Sequence, residues 1–290
     1  MPVQESLFSE VELAVPSSRV QVAKKAARSG TFSDNMKLPI HRWFRYSAGF
    51  SAEWVESVVR SYGKQNITVL DPFAGSGTTL VSAAAAGAKA VGFESHPFVS
   101  RVAKAKLLFE KVDPENLRRA AAELLARAAK AKSSKKGSNP LLLKCFTQES
   151  LSGLNSLRET LEKNPPAQEE IFELLRLALT AILRPCSHAG TAQWQYVLPN
   201  KSKAKVLDPF EAFLSKVNDM ADDINFAHRA GWRFGGEVSD HDARTPSKLA
   251  AESVDLVITS PPYPNNYDYA DATRLEMSFW GDIEGWSDLQ

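Results

Sequence analysis

The feature that most constrains this chain is one short stretch, residues 67–94. Ile67-Thr68-Val69-Leu70 is a β-branched run leading into Asp71-Pro72-Phe73-Ala74-Gly75-Ser76-Gly77-Thr78-Thr79. From Thr78 to Ala86 the sequence is alanine-rich and helical, Gly87 is placed to end the helix, and Ala90-Val91-Gly92-Phe93-Glu94 reads as a second strand ending on a carboxylate. Strand, glycine loop, helix, strand and acid in this order form a βαβ unit. Such a unit needs a mostly parallel sheet with helices on both faces, and it puts ligands just beyond the carboxyl ends of the strands. A Walker phosphate loop is excluded, because no Gly-x-x-x-x-Gly-Lys is present. A Gly-x-Gly-x-x-Gly dinucleotide loop is not formed either, since position 80 is Leu80.

The second motif lies far away. Val254-Asp255-Leu256-Val257-Ile258-Thr259 reads as a strand and runs directly into Ser260-Pro261-Pro262-Tyr263. It too should open at a carboxyl end of the sheet. With 290 residues and 43% hydrophobic composition, the chain can fill one large α/β core. A formal charge of +1 gives no global polyanion signal, so affinity for nucleic acid must come from local basic clusters. The two cysteines, Cys145 and Cys186, lack zinc spacing and suit a reducing compartment, and no metal site is expected. The N-terminal residues have no apolar signal-peptide core, and no uncharged stretch is long enough to span a bilayer, so a cytoplasmic location is expected.

Together, the Asp71–Thr79 string and Ser260-Pro261-Pro262-Tyr263 resemble the S-adenosylmethionine-dependent methyltransferases that modify exocyclic amino groups of DNA bases. The resemblance covers roughly residues 40–100 and 230–281. It implies a Rossmann-like sheet and the use of S-adenosylmethionine on DNA, as in restriction-modification. Phe73, Gly75, Gly77 and Thr78 would hold the methionine carboxylate at a helix N-terminus, and Asp71 would pair with the methionine ammonium, directly or through water. Glu94 would accept from the ribose hydroxyls, and Asp242 from the adenine amine, with Asp240 a near neighbour that could replace it. The segment His41–Ser51 resembles the part placed against the methionine moiety; Ser51 is equally readable as the N-cap of a helix from Phe50 to Tyr62.

In the same family the Ser260 hydroxyl and Pro261 carbonyl would accept from the target amine, Pro262 would stiffen the turn, and Tyr263 would stack on the base once it is flipped out. No Pro-Cys is present, so attack through a ring carbon is not expected. Serine at the first motif position favours N4 of cytosine over N6 of adenine. The loop Pro264–Tyr269 reads either as further base contacts or as a polar connection.

Residues 1–36 read as an arm, in which Gln4-Glu5-Ser6-Leu7-Phe8 resembles a sliding-clamp docking peptide or simply packs on the domain. Residues 37–98 form the cofactor half, and 229–290 carry a third strand signal, Trp232 to Val238, together with the catalytic strand. Between them, residues 99–228 are helical by pattern, as in Pro114–Lys132 and Glu169–Leu183, and are broken by a polar loop, Ser133–Pro140. That is a helical insertion where one helix would suffice. Trp194, Tyr196, Lys201 and Lys203, with Lys205, interleave aromatic and basic side chains and are candidates for DNA contact, or form a solvated loop beside two core aromatics. Lys130, Lys132, Lys135 and Lys136 read as a solvated face.

The family sheet continues beyond the Pro-Pro-Tyr strand with further strands, whereas the residues from Ala270 to Gln290 suit one helix, Thr273–Trp280, ended by Gly281. The sheet is therefore expected to be incomplete on its C-terminal side, with an apolar edge at the Ser260 strand. This marks a fragment of a longer methyltransferase or a subunit completed by a second polypeptide, inactive or weak alone. Two rival readings are an RNA amino-methyltransferase and a non-catalytic DNA-binding subunit.

Overall fold

The computed structural model describes residues 32–131, 139–192, 196–245, 247–262, 268–285 and 288. The Gln4–Phe8 peptide, Trp194, Tyr263 and the lysines at 132, 135 and 136 lie outside them. Among the described residues, four parallel strands make the main sheet: β1 (Thr68–Asp71), β2 (Lys89–Phe93), β5 (Glu237–Ser239) and β6 (Leu256–Val257), in the spatial order β5-β2-β1-β6. Helices flank it, and the arrangement is the expected Rossmann-like α/β sheet.

Each early element has a local cause. Ser51 caps α1 (Ala52–Ser61) by accepting from the Trp54 amide at 3.3 Å. α2 (Thr78–Ala85) starts from Gly77 in the left-handed conformation, φ 85°. α3 (Pro97–Lys106) carries proline at its first position and is capped by the His96 imidazole. α2 is buried on nearly every side, which suits its run of small and apolar residues.

From residue 94 to 236 the chain leaves the sheet and returns beside β2. The excursion holds α3, then α4 (Pro114–Ala128), α5 (Pro140–Cys145), α6 (Gln148–Lys163), α7 (Glu169–Cys186) and α8 (Pro209–Arg229). α4, α6, α7 and α8 pack on one another, and α3 joins them to the sheet. The apolar interior is continuous from Val55, Val69 and Leu80 under the sheet to Leu154, Leu174 and Phe213 in the insertion. Buried Asp223 on α8 ties the two parts together. It accepts from the Ile40 amide, the Arg42 guanidinium and the Trp43 indole, at 2.7–3.0 Å. No described helix is long and apolar enough to cross a membrane.

Three elements differ from the sequence reading. The strand expected over Trp232–Val238 is confined to Glu237–Ser239. Gly236 is pressed so closely on β2 that a β-carbon there would stand 1.6 Å from the Ala90 carbonyl oxygen, while Trp232 packs edge-on against Phe109 and Phe226. The strand expected over 254–259 is only Leu256–Val257, because it pairs with β1 alone among the described residues. The largely helical insertion also contains an antiparallel hairpin, β3 (Ala189–Thr191) and β4 (Val197–Ser202). The last helix, α9 (Tyr269–Trp280), begins four residues earlier than expected, because Asp268 caps it by accepting from the Asp271 amide at 3.0 Å.

Candidate active site

The glycine loop leaves β1 at its carboxyl end and is fastened to β2. The Ala74 amide donates to the Phe93 carbonyl at 2.9 Å, and the Gly75 amide donates to Glu94 Oε2 at 2.8 Å. The other Glu94 oxygen accepts from the His96 amide at 2.8 Å. Glu94 thus closes the loop and opens α3 at once. Burial raises its carboxyl above the usual range, against the lowering effect of these two amides.

Gly77 has φ 85°, and a β-carbon on it would stand 3.3 Å from Ala103 of α3, so the tight turn and close approach both require glycine. No side chain caps the first turn of α2. Thr78 is buried, whereas Phe73 is 39% exposed at the loop's tip. Tyr46, from the segment before α1, lies over Gly75, its ring 3.5 Å from where a β-carbon would stand. Ser51 is buried at its cap position, and Asn35 brackets it by donating to the Phe50 carbonyl and accepting from the Ala52 amide. The His41–Ser51 segment is thus both a helix entry and a neighbour of the loop.

Asp71 is turned inward. Its carboxylate has no exposed surface and takes three donors: the Phe73 amide at 3.1 Å, the Thr79 hydroxyl at 2.5 Å and the Thr259 hydroxyl at 2.8 Å. Burial raises its carboxyl, and the three hydrogen bonds oppose that. Asp71, expected to pair with a ligand ammonium directly or through water, is held here by internal hydrogen bonds.

At the end of β5, Asp240 accepts from Ser100 at 2.5 Å and from Lys104 at 2.7 Å, both on α3. Asp242 is chelated by its neighbour Arg244, with contacts of 2.6–3.1 Å that hold its carboxyl down at about 2. His41 and Lys106 are both buried, and burial pushes them down to about 3 and about 7.

The strand β6, which leads into Ser260, is held at both ends. At its start, the Asp255 carboxylate accepts from the Thr68 amide at 2.9 Å and from Lys64 at 2.5 Å. At its finish, the Ile258 amide donates to the Leu70 carbonyl at 3.0 Å, and Thr259 donates to Asp71. Ser260 follows, half-buried, and Pro261 and Pro262 are exposed. The two sequence motifs are thus neighbours, joined through adjacent parallel strands and one carboxylate.

α9, just beyond this segment, is bound to the insertion. Arg184 of α7 forms a two-pronged ion pair with fully buried Glu276, at 2.6 and 3.0 Å, and donates to the Ala272 carbonyl. The Trp280 indole donates to Thr180 at 2.9 Å, and Arg158 donates to the Phe279 carbonyl. The hairpin reaches the same place, because β4 lies against α5 and α9 and the Tyr196 hydroxyl accepts from the Asp268 amide at 2.6 Å. Lys203 is spent on the α7 C-terminus, donating to the Arg184 and Pro185 carbonyls, whereas Lys201 and Lys205 are exposed. Sequence reasoning missed Arg184, Glu276 and His96, whose imidazole sits 3.4 Å from the Thr273 hydroxyl of α9. Among the described residues, no group of His, Cys, Asp and Glu side chains could hold a metal ion.

Residues 17–105, from the arm through the glycine loop and α3, match the family model of N6/N4 DNA methylases. The Type II methyltransferase M.BsoBI of Geobacillus stearothermophilus is 25% identical over 312 aligned positions, covering 94% of this chain and 61% of that protein. The Type II methyltransferases M.AvaI of Nostoc sp. and of Anabaena variabilis are each 26% identical over 272 positions, covering 87% of this chain and 56% of theirs. The chain therefore spans less than two thirds of the length of these relatives. No solved structure matches it.

Proposed function

We propose that this chain, a member of the DNA amino-methyltransferase family, binds S-adenosylmethionine on the glycine loop and methylates an exocyclic amine of DNA, N4 of cytosine in preference to N6 of adenine. The observation that carries the reading is that Ser260 emerges one strand away from the loop, on a strand hydrogen-bonded to the one the loop ends. Ligand and target base would meet where two adjacent parallel strands end, as open α/β sheets require.

The loop fits the cofactor. An uncapped, left-handed glycine start to α2 leaves backbone N–H groups for a carboxylate, and Glu94, fixed by two amides, keeps lone pairs for ribose hydroxyls. Of the two acids after β5, Asp242 is the assigned adenine acceptor; to serve, its carboxylate must keep a lone pair beside Arg244. When bound, S-adenosylmethionine supplies a methyl group on a sulfonium, open to attack by a nucleophilic nitrogen.

The base amine is a weak nucleophile because its lone pair is delocalised into the ring. The Ser260 hydroxyl and the Pro261 carbonyl would each accept one of its N–H bonds, favouring a pyramidal nitrogen whose lone pair faces the methyl group. That interaction is strongest as the bond forms, which is what accelerates a reaction. Pro261 and Pro262 restrict the backbone so that the carbonyl stays aimed. Tyr263 would stack on the flipped base. DNA would lie along the exposed side of the hairpin, with Lys201 towards the backbone and Tyr196 and Lys203 holding the hairpin in place, and Trp194 is a further candidate for DNA contact. Serine in the first motif position supports cytosine.

The side of β6 without a described neighbour, where Val257 is 55% exposed, suits further strands from a second polypeptide, which would support turnover. The test is incubation with labelled S-adenosylmethionine and mixed-sequence DNA or transfer RNA, followed by nucleoside mass spectrometry. N4-methylcytosine in DNA is expected. N6-methyladenine would reassign the base, and label only in RNA would reject the DNA reading.

A further inference from the structure

The Asp71 carboxylate touches three parts of the site: the loop through the Phe73 amide, the first turn of α2 through Thr79, and the catalytic strand through Thr259. It has no exposed surface, and only hydrogen bonds are given to its two oxygens. Burying a carboxylate is costly unless such donors compensate it, so these contacts are specific requirements of the fold at this point. Oδ1 takes both the Phe73 amide and the Thr259 hydroxyl, so the loop and the residue preceding Ser260 share one atom. β6 has only two residues in regular pairing with β1 and no described neighbour on its other side. Beyond the backbone bond from the Ile258 amide to the Leu70 carbonyl, the Thr259 hydroxyl supplies the next tie, immediately before Ser260.

We propose that Asp71 and Thr259 are positioning residues that hold Ser260 in register with the cofactor loop, so that the acceptor of the base amine and the methyl donor are set by one carboxylate. Neither residue touches the substrate. Their effect comes through the placement of the Ser260 hydroxyl and the Pro261 carbonyl, where a displacement of about 1 Å lowers the rate about 100-fold. This inference rests on the methyltransferase reading, and it makes a prediction that reading alone does not. The Thr259 hydroxyl, as distinct from the side chain's bulk, governs the rate of transfer and leaves cofactor affinity unchanged.

The test uses three forms of the full chain: wild type, Thr259→Val, which keeps shape and loses the donor, and Thr259→Ser, which restores it. Thr259→Val is expected to lower kcat for methyl transfer at least about 10-fold with the cofactor dissociation constant within about twofold, and Thr259→Ser to recover most of the rate. Equal rates for wild type and Thr259→Val, or a Thr259→Ser as slow as the valine form, would overturn the proposal.

Amide hydrogen exchange over residues 256–262, measured on the same three proteins, needs no turnover. The proposal expects exchange at least about 10-fold faster in Thr259→Val than in the other two, with α2 unchanged. Identical exchange in all three overturns it. If wild type alone transfers no methyl group, the exchange experiment still decides the positioning role.

Discussion

The two halves of the candidate site are built in opposite ways. The proposed cofactor end is made largely of contiguous sequence: β1, loop, α2, β2 and Glu94 lie within one stretch, bound by backbone hydrogen bonds, with β1 and β2 each paired to a strand on either edge. The catalytic end is assembled from distant pieces. β6 is a two-residue edge, Thr259 reaches Asp71 across 188 residues, and α9 is clamped by side chains of the insertion. The first half is preorganised by local chain geometry, and the second by a few long-range polar ties. The difference predicts that damage to those ties removes catalysis while cofactor binding survives.

The largest effect expected is from Ser260→Ala, which removes one acceptor for the base amine. Methyl transfer should fall about 1,000-fold while cofactor affinity stays within about twofold, as single-turnover rates and calorimetry would reveal. Equal rates would remove Ser260 from the chemistry. Arg184→Met comes next, because it leaves Glu276 fully buried without its cation. A loss of about 3 kcal/mol in denaturant unfolding is expected. Below the melting transition the cofactor should still bind, and a parallel loss of cofactor binding would break the contrast between the two halves.

Glu94→Ala acts on the other half. About tenfold weaker cofactor binding with the fold retained is expected by calorimetry, since the alanine form loses both the ribose acceptor and the clasp on Gly75. Unchanged affinity would end the ribose assignment.

The smallest effect concerns Lys106, buried at the end of α3 and pushed down to about 7 from its ordinary 10.5. Between those values the unfolded chain holds more protons than the folded one, so this group makes stability rise with pH across the window. Lys106→Met should flatten that rise and raise Tm at pH 7 by about 2 °C. A pH slope identical to wild type would show that Lys106 does not titrate there.

The same contrast explains what the sequence could disclose. The cofactor half was legible because its signals are local: β-branched residues before Asp71, the spacing of Gly75 and Gly77, alanines in α2 and an acid at the end of β2. Ser260-Pro261-Pro262 was legible as a motif, but its strand was overextended, because a strand with one neighbour among the described residues does not pair along the whole apolar run. The hairpin over Ala189–Ser202 was missed because it is short and carries proline and lysine in place of alternating apolar residues. Asp71 reads naturally as a ligand-facing acid, and its hydrogen bond from Thr259, far away in sequence, could not be read locally. Thr79 and Thr259 were visible beside the two motifs, but nothing local says that their hydroxyls meet one carboxylate.

The most direct measurement of the account is calorimetric titration of the full chain with S-adenosylmethionine, for wild type and for Thr259→Val. Because the proposed loop and ribose contacts lie within contiguous sequence, both should bind one equivalent with dissociation constants within about twofold of each other. Failure of the wild-type chain to bind would contradict the claim that residues 71–94 form a preorganised cofactor site.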